Sequence, residues 1–130
     1  MDAPEISVVV LAYRSAGTIT GFVESLVESL EKEGLRWEIV LVGNYFKGKG
    51  DQTPEVVNKI AAREARIKVV TDIKKGMMGW DMKTGLQAAT GKTLAVIDGD
   101  GQMPSGDVVR VYKLMKENGL DLAKTCRAKR

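Results

Sequence analysis

Apolar residues follow two rhythms along this chain, and the rhythms alternate. Residues 6–13 (ISVVVLAY) are apolar at nearly every position and rich in β-branched side chains. A strand covered on both faces reads this way. The next apolar residues, Ile19, Phe22, Val23, Leu26, Val27 and Leu30, recur at spacings of three and four and predict one stripe of a helix. Thr18 stands where a cap belongs and Gly34 where the helix must stop. The alternation then repeats. Residues 37–42 (WEIVLV) predict a second strand. Thr53-Pro54 predicts a capped helix start with Val56, Val57, Ile60 and Ala61 behind it. Residues 67–70 (IKVV) predict a third strand, and a short helix with Met82, Leu86 and Ala89 follows, closed by Gly91. Residues 93–97 (TLAVI) predict a buried fourth strand. Ser105 caps a helix with Val108, Val111, Tyr112 and Met115 that Gly119 stops, and residues 120–126 (LDLAKTC) predict a fifth strand. A strand–helix unit repeated four times and closed by a strand predicts an α/β fold: a parallel, Rossmann-like sheet with helices on both faces. No internal repeat or low-complexity segment interrupts it.

Composition narrows the picture. At 130 residues, 44% hydrophobic and 28% charged, the chain suits one soluble domain with one core. Its formal charge of +3 is spread along the sequence, so no nucleic-acid partner is expected. No apolar run reaches the roughly 20 residues that span a bilayer, and the first residues do not form a signal peptide. The single Cys126 cannot form an internal disulfide, which fits a reducing compartment. The absence of histidine removes serine–histidine triads, cysteine–histidine pairs and histidine metal sites. Any metal must then be held by oxygen.

The chemistry concentrates where the fourth strand ends, in AVIDGDGQMP (residues 95–104). Asp98 and Asp100 stand two residues apart after a strand and repel each other unless a cation lies between them. With Gln102 they offer three oxygen donors and leave room for water and substrate phosphates, the usual way Mg²⁺ or Mn²⁺ is held. A solvated turn is the plainer alternative. In parallel sheets ligands sit beyond the carboxyl ends of the strands. Tyr13, Arg14 and Asn44 are placed at that same edge.

Other motifs fail on spacing. Gly91-Lys92-Thr93 has Leu86 where a phosphate loop needs glycine, and it opens a strand. A calcium loop would need glycine at Met103. No dinucleotide fingerprint follows the first strand. A receiver-like domain would need acids where Tyr13-Arg14-Ser15 stands.

VIDGDGQMP resembles the D-x-D-x-Q-x-P signature of family 2 glycosyltransferases, particularly the polyprenyl- and dolichyl-phosphate sugar transferases. ISVVVLAYRSAGTI is similar to that family's opening strand and turn, usually V-P-A-Y-N-E. WEIVLVGNYFKGKGDQT falls where the family has a second strand, paired acids and a later D-x-T. KKGMMGWDMKTGLQAATGKTLAVIDGDGQ resembles the glycine-spaced helix before the acidic motif. The resemblance implies that residues 1–130 are a single nucleotide-sugar-binding domain of the GT-A type, the N-terminal donor-binding part of a longer enzyme.

It further implies a metal-dependent, inverting hexosyltransferase. The donor is a GDP- or UDP-sugar, the acceptor a polyprenyl phosphate, and the place of work the cytoplasmic face of the membrane, with peripheral contact. By position, Asp98, Asp100 and Gln102 hold Mg²⁺ or Mn²⁺ and the donor diphosphate, with Asp100 the catalytic carboxylate. Ala12, Tyr13 and Asn44 surround the base and ribose. Lys83 either faces the phosphates or is an ordinary solvated lysine. Arg127 either matches a family arginine or belongs to a basic chain end.

The chain departs from the pattern at Leu11 (usually proline), at Ser15 (commonly an acid) and at Gly43-Asn44 (usually paired acids). Thr53 fits both the later D-x-T and a helix cap. Two other functions stay open: a module that binds a nucleotide sugar without turnover, and a nucleotidyltransferase, which would want a richer glycine and arginine loop than residues 12–17.

Overall fold

The computed structural model describes residues 3–76, 78–99, 104–121 and 123. Its elements run β1 (Ile6–Leu11), α1 (Ile19–Lys32), β2 (Trp37–Val42), α2 (Thr53–Ala62), β3 (Ile67–Val70), α3 (Met78–Ala88), β4 (Thr93–Asp98) and α4 (Gly106–Glu117). The four strands form one parallel sheet in the order β3-β2-β1-β4. The expected α/β fold with helices on both faces is the fold observed.

The two strands whose sequences are apolar except at Ser7 and Glu38, β1 and β2, occupy the centre, and all twelve of their residues are buried. Alternate side chains serve opposite faces. Ile6, Val8 and Val10 of β1, with Ile39 and Leu41 of β2, pack beneath α1, α2 and α4. Val9, Leu11, Val40 and Val42 meet α3 on the other face. Chain direction explains the division. The chain steps one way from β1 to β3, then returns across the sheet to β4. Right-handed crossovers therefore require the returning helix to lie on the opposite face.

α3 can sit close because Gly85 faces the sheet: a Cβ there would lie 2.4 Å from Val9 Cγ1 and 2.7 Å from Val42 Cγ2. On α1 the stripe Ile19, Phe22, Val23, Leu26 and Leu30 is buried as expected. That helix ends before Gly34, whose φ of 70° is the left-handed conformation an L side chain resists.

Three details differ from the sequence expectation. β4 extends one residue further, through Asp98, and among the described residues it is an edge strand of the sheet, with Leu94 and Val96 exposed. Among the described residues it is covered on one face only, where the sequence predicts a buried strand. Thr18 and Ser105 precede their helices without a side-chain capping bond, and Thr53 is the first residue of α2. Most of the fifth strand expected at 120–126 falls outside the described residues. Its described positions, Leu120, Asp121 and Ala123, are not in a strand.

Candidate functional site

The carboxyl ends of the strands are stitched together by backbone hydrogen bonds that carry the sheet into its loops. Gly99 N–H donates to Leu11 O at 2.8 Å, Ala12 N–H to Val42 O at 2.9 Å, and Gly43 N–H to Val70 O at 2.8 Å. Beyond them Lys74 N–H donates to Tyr45 O at 2.7 Å. The loops after all four strands therefore form one continuous rim.

At one end of the rim stands Asp98, half-buried and paired in register with Leu11. The residue after it must be glycine for a packing reason: a Cβ on Gly99 would meet Ile19 Cδ1 at 2.7 Å and Val10 Cγ1 at 2.9 Å. The glycine lets β4 end tight against β1 and α1, with Asp98 at the edge. Thr18 Oγ1 donates to Gly99 O at 3.3 Å and ties this end to the loop after β1.

That loop turns sharply at Arg14, the one described non-glycine residue with positive φ, at 52°. Such a conformation costs of order 1 kcal/mol and persists where the surroundings fix it. Here they do: Ser15 N–H donates to Thr53 Oγ1 at 3.0 Å, and Thr53 Oγ1 donates to Asp51 Oδ1 at 2.6 Å. Thr53, which fitted both a cap and the D-x-T motif, thus tethers the β1 loop to the start of α2. The half-buried Tyr13 stands beside this turn, its ring edge-on to Phe46 with centroids 5.9 Å apart.

Beneath Tyr13 lies a buried polar cluster. Lys74 and Asp81 form an ion pair whose side chains are 1% and 5% exposed. The Lys74 ammonium lies 4.5 Å from the Tyr13 ring centroid and 5.7 Å from that of Phe46. Asn44 Nδ2 donates to Asp81 Oδ1 and to Thr84 Oγ1, each at 3.0 Å, while Asn44 Oδ1 accepts from Asp72 N–H at 2.8 Å. Asp81 also occupies the first turn of α3, where the helix dipole favours a carboxylate.

Among the residues singled out from sequence, the structure thus brings Tyr13, Asn44 and Asp98 to one rim. Their exposure differs. Asn44 is fully buried with both amide hydrogens and its oxygen engaged by protein, so it braces the rim from inside. Ala12 is likewise fully buried, and its side chain belongs to the core beneath α1. Lys83 is exposed and borders a shallow depression with Gly79, Met82, Leu86 and Gln87, apart from the inward-facing Asp81 and Thr84. Asp100, Gln102 and Arg127 lie outside the described residues. Among the described residues no three acidic or cysteine side chains gather as a metal cluster. Of the three oxygen donors expected from sequence, Asp98 is the one described, and a carboxylate oxygen is a hard donor of the kind Mg²⁺ and Mn²⁺ take.

Sequence reasoning missed Lys74 and Asp81. The usable signal was a second stripe on α3, Asp81, Thr84, Gly85 and Ala88, in which small residues let the helix approach the sheet and the aspartate rides inward with them. A separate groove of about 420 Å³ runs between β4 and α4, lined by Val96, Ile97, Val108, Val111 and Met115 and reaching Asp98 at one end. It is largely apolar and lacks the converging polar groups of the rim.

Known proteins place this architecture. The family model described as "Glycosyl transferase family 2" matches residues 7–130. The chain is 30% identical over 120 residues to an uncharacterized glycosyltransferase, EpsJ, of Bacillus subtilis, covering 92% of this chain and 33% of that protein. It is 28% identical to an undecaprenyl-phosphate 4-deoxy-4-formamido-L-arabinose transferase of Pectobacterium atrosepticum, covering 99% of this chain and 38% of that protein. The chain therefore spans little more than a third of these relatives. In structure it is similar to the mannosyltransferase PcManGT of Pyrobaculum calidifontis, solved in complex with GDP-Man and Mn²⁺. The TM-score is 0.67 at 23% identity, over 88% of this chain and 33% of that one. That likeness shows a shared fold.

Proposed function

This chain belongs to glycosyl transferase family 2, and from that premise we propose that it is the donor-binding part of an inverting glycosyltransferase that moves a sugar from a nucleoside-diphosphate sugar to a polyprenyl phosphate. The observation that carries the reading is the stitched rim, which holds Tyr13 and Asp98 at the carboxyl edge of the same fold that binds GDP-Man and Mn²⁺ in the mannosyltransferase. The acceptor class is supported by the relative that acts on undecaprenyl phosphate. A lipid-phosphate acceptor puts the reaction at a membrane face, and we assign it to the cytoplasmic side. No helix among the described residues is long and apolar enough to cross a bilayer.

In this reading Asp98, Asp100 and Gln102 hold Mg²⁺ or Mn²⁺, with Asp100 the catalytic carboxylate. When bound, the cation supplies positive charge for the leaving diphosphate. Tyr13 receives the base and ribose, with Asn44 fixing the rim behind it and Ala12 the strand end. Lys83 and Arg127 are secondary candidates for phosphate contact. An oxygen of the acceptor phosphate forms a bond to the anomeric carbon from one face. The bond from that carbon to the donor diphosphate breaks on the other, and the electron pair leaves with the nucleoside diphosphate. A phosphate monoester is already anionic at neutral pH, so the attack needs no protein base. The rim's share is orientation: it fixes the donor so that the anomeric carbon lies open to the acceptor.

Calorimetric titration with GDP, UDP and their sugars, with and without Mn²⁺, tests this on the wild type and on Asp100→Ala. Metal-dependent binding lost in the variant supports the reading and identifies the base. Absence of nucleotide binding under every condition overturns it. Binding without transfer to polyprenyl phosphate would favour a nucleotide-sugar-binding module.

A further inference from the structure

We propose that Lys74 and Asp81 are positioning residues for the donor nucleobase, a buried ion pair that fixes the Tyr13 ring as the surface on which the base stacks. The inference rests on the donor-site reading above and adds two residues to it.

A buried ion pair is a poor stabilising device. Desolvating both charges costs about as much as their attraction returns, and apolar residues of the same volume often do as well. The placement of this pair therefore calls for a reason other than stability. Lys74 comes from the loop after β3, Asp81 from the first turn of α3, and the ring they support from the loop after β1. Five contacts limit where the ammonium can sit. Asp81 holds it by a direct ion pair, Asn44 holds Asp81 through Nδ2, Tyr45 O holds the Lys74 backbone, and the two rings border the charge at 4.5 and 5.7 Å.

A cation against an aromatic face is attracted to the ring's negative quadrupole. An ammonium that cannot move therefore fixes the ring it faces. Phe46 meets Tyr13 edge-on at 85° and blocks tilting on that side. Arg14, with its left-handed backbone, follows the ring directly, and its guanidinium carbon lies 5.9 Å from the ring centroid. The ring is held in advance of any ligand, half-buried on the same rim as Asp98. A ring held in this way loses little freedom when a base stacks on it.

The test is a double-variant cycle read by calorimetry on the 130-residue chain with Mn²⁺, using GDP, UDP and inorganic pyrophosphate as probes. Tyr13→Ala should weaken nucleoside-diphosphate binding about tenfold and leave pyrophosphate unchanged. Lys74→Met with Asp81→Asn removes both charges, keeps the shape of the cluster, and should produce most of the same loss for GDP and UDP. Added to Tyr13→Ala, the pair of changes should have no further effect. A purely structural pair would weaken pyrophosphate binding too, and by the same factor with or without Tyr13, and that result overturns the proposal. Unchanged nucleotide affinity in the charge-free variant also overturns it. Should that variant fail to fold, Asp81→Asn alone enters the same cycle, with a several-fold loss that vanishes in the Tyr13→Ala background as the expected result. The same loss in both backgrounds then overturns the proposal. A wild-type chain that binds none of the probes removes the donor-site reading and this inference together. Wild-type binding without coupling to Tyr13 removes only this inference.

Discussion

Each edge of the sheet carries one buried carboxylate with a lysine partner near one end of α3, and the two clusters are built differently. At the amino edge Glu38 lies within β2. It accepts from Ser7 Oγ at 2.6 Å, from Thr90 N–H at 2.9 Å and Thr90 Oγ1 at 3.0 Å, and pairs with Lys68 at 2.6 Å. Its lysine is 45% exposed. At the carboxyl edge Asp81 and Lys74 are both sealed, and their neighbours are loop residues and aromatic rings. The amino-edge cluster rests on paired strands and ties the turn after α3 to the sheet, with Gly91 N–H donating to Ser7 Oγ at 2.7 Å. The carboxyl-edge cluster adds buried side-chain contacts to loops that a few backbone hydrogen bonds, such as Lys74 N–H to Tyr45 O, already link. The same pair of charges can serve as a structural latch where strands already fix the geometry. Where loops must be held in place for a ligand, it serves as a brace.

The largest effect should follow from Lys74→Met alone. It leaves Asp81 buried without its cation, a change that costs about 3–5 kcal/mol, measurable by urea denaturation. Adding Asp81→Asn should recover most of that loss. If the single variant is nearly as stable as wild type, the cluster is more open to water than its burial shows, and the contrast between the edges fails.

Gly85→Ala disturbs the wall that the two clusters share. A Cβ 2.4 Å from Val9 Cγ1 must push α3 off the sheet, for a loss of about 1–3 kcal/mol. Hydrogen exchange should then speed up at both ends of α3. Faster exchange at one end only would show that the edges are independent.

Glu38→Gln should cost less, about 1–2 kcal/mol, and its effect depends on pH. Burial alone would raise the Glu38 pKa, but donors from Lys68, Ser7 and Thr90 outweigh it and hold the group below its usual 4.5. Its contribution is therefore complete above about pH 4.5, the unfolded value, and is lost as pH falls below that through the folded value. Acid titration of stability should be shallower in Glu38→Gln than in wild type below pH 4.5. Parallel curves would contradict the assignment.

Lys68→Met should have the smallest effect, under about 1 kcal/mol, because the lysine is half in water and Glu38 keeps its donors from Ser7 and Thr90. The ratio of the Lys74 to the Lys68 effect is the sharpest measure of the difference between the edges.

The fold was legible in the sequence because its signals are local. Apolar runs rich in β-branched residues, each broken by one polar position, mark β1 and β2, and spacings of three and four mark α1. What sequence could not show depends on neighbours distant in the chain. Leu94 and Val96 read as buried, yet among the described residues β4 is an edge strand, and no pattern within five residues reveals a strand's place in its sheet. Asn44 read as a residue facing ligand because it follows a strand. Its burial is set by α3, which lies nearly forty residues away and brings Asp81 and Thr84 onto its amide. Lys74 and Asp81 read as ordinary loop and helix charges for the same reason. The placement of Tyr13 and Asp98 at one edge was legible because in a parallel sheet all strands end, and their loops begin, on the same side.

The most direct test of a donor site at the carboxyl edge is paramagnetic broadening of backbone amide signals by Mn²⁺ with GDP or UDP on the 130-residue chain. The account predicts that the amides of Tyr13 and Gly99 broaden first, while those of Thr90 and Gly91 at the opposite edge stay sharp. Broadening centred on Thr90 and Gly91, or none at either edge, would contradict it.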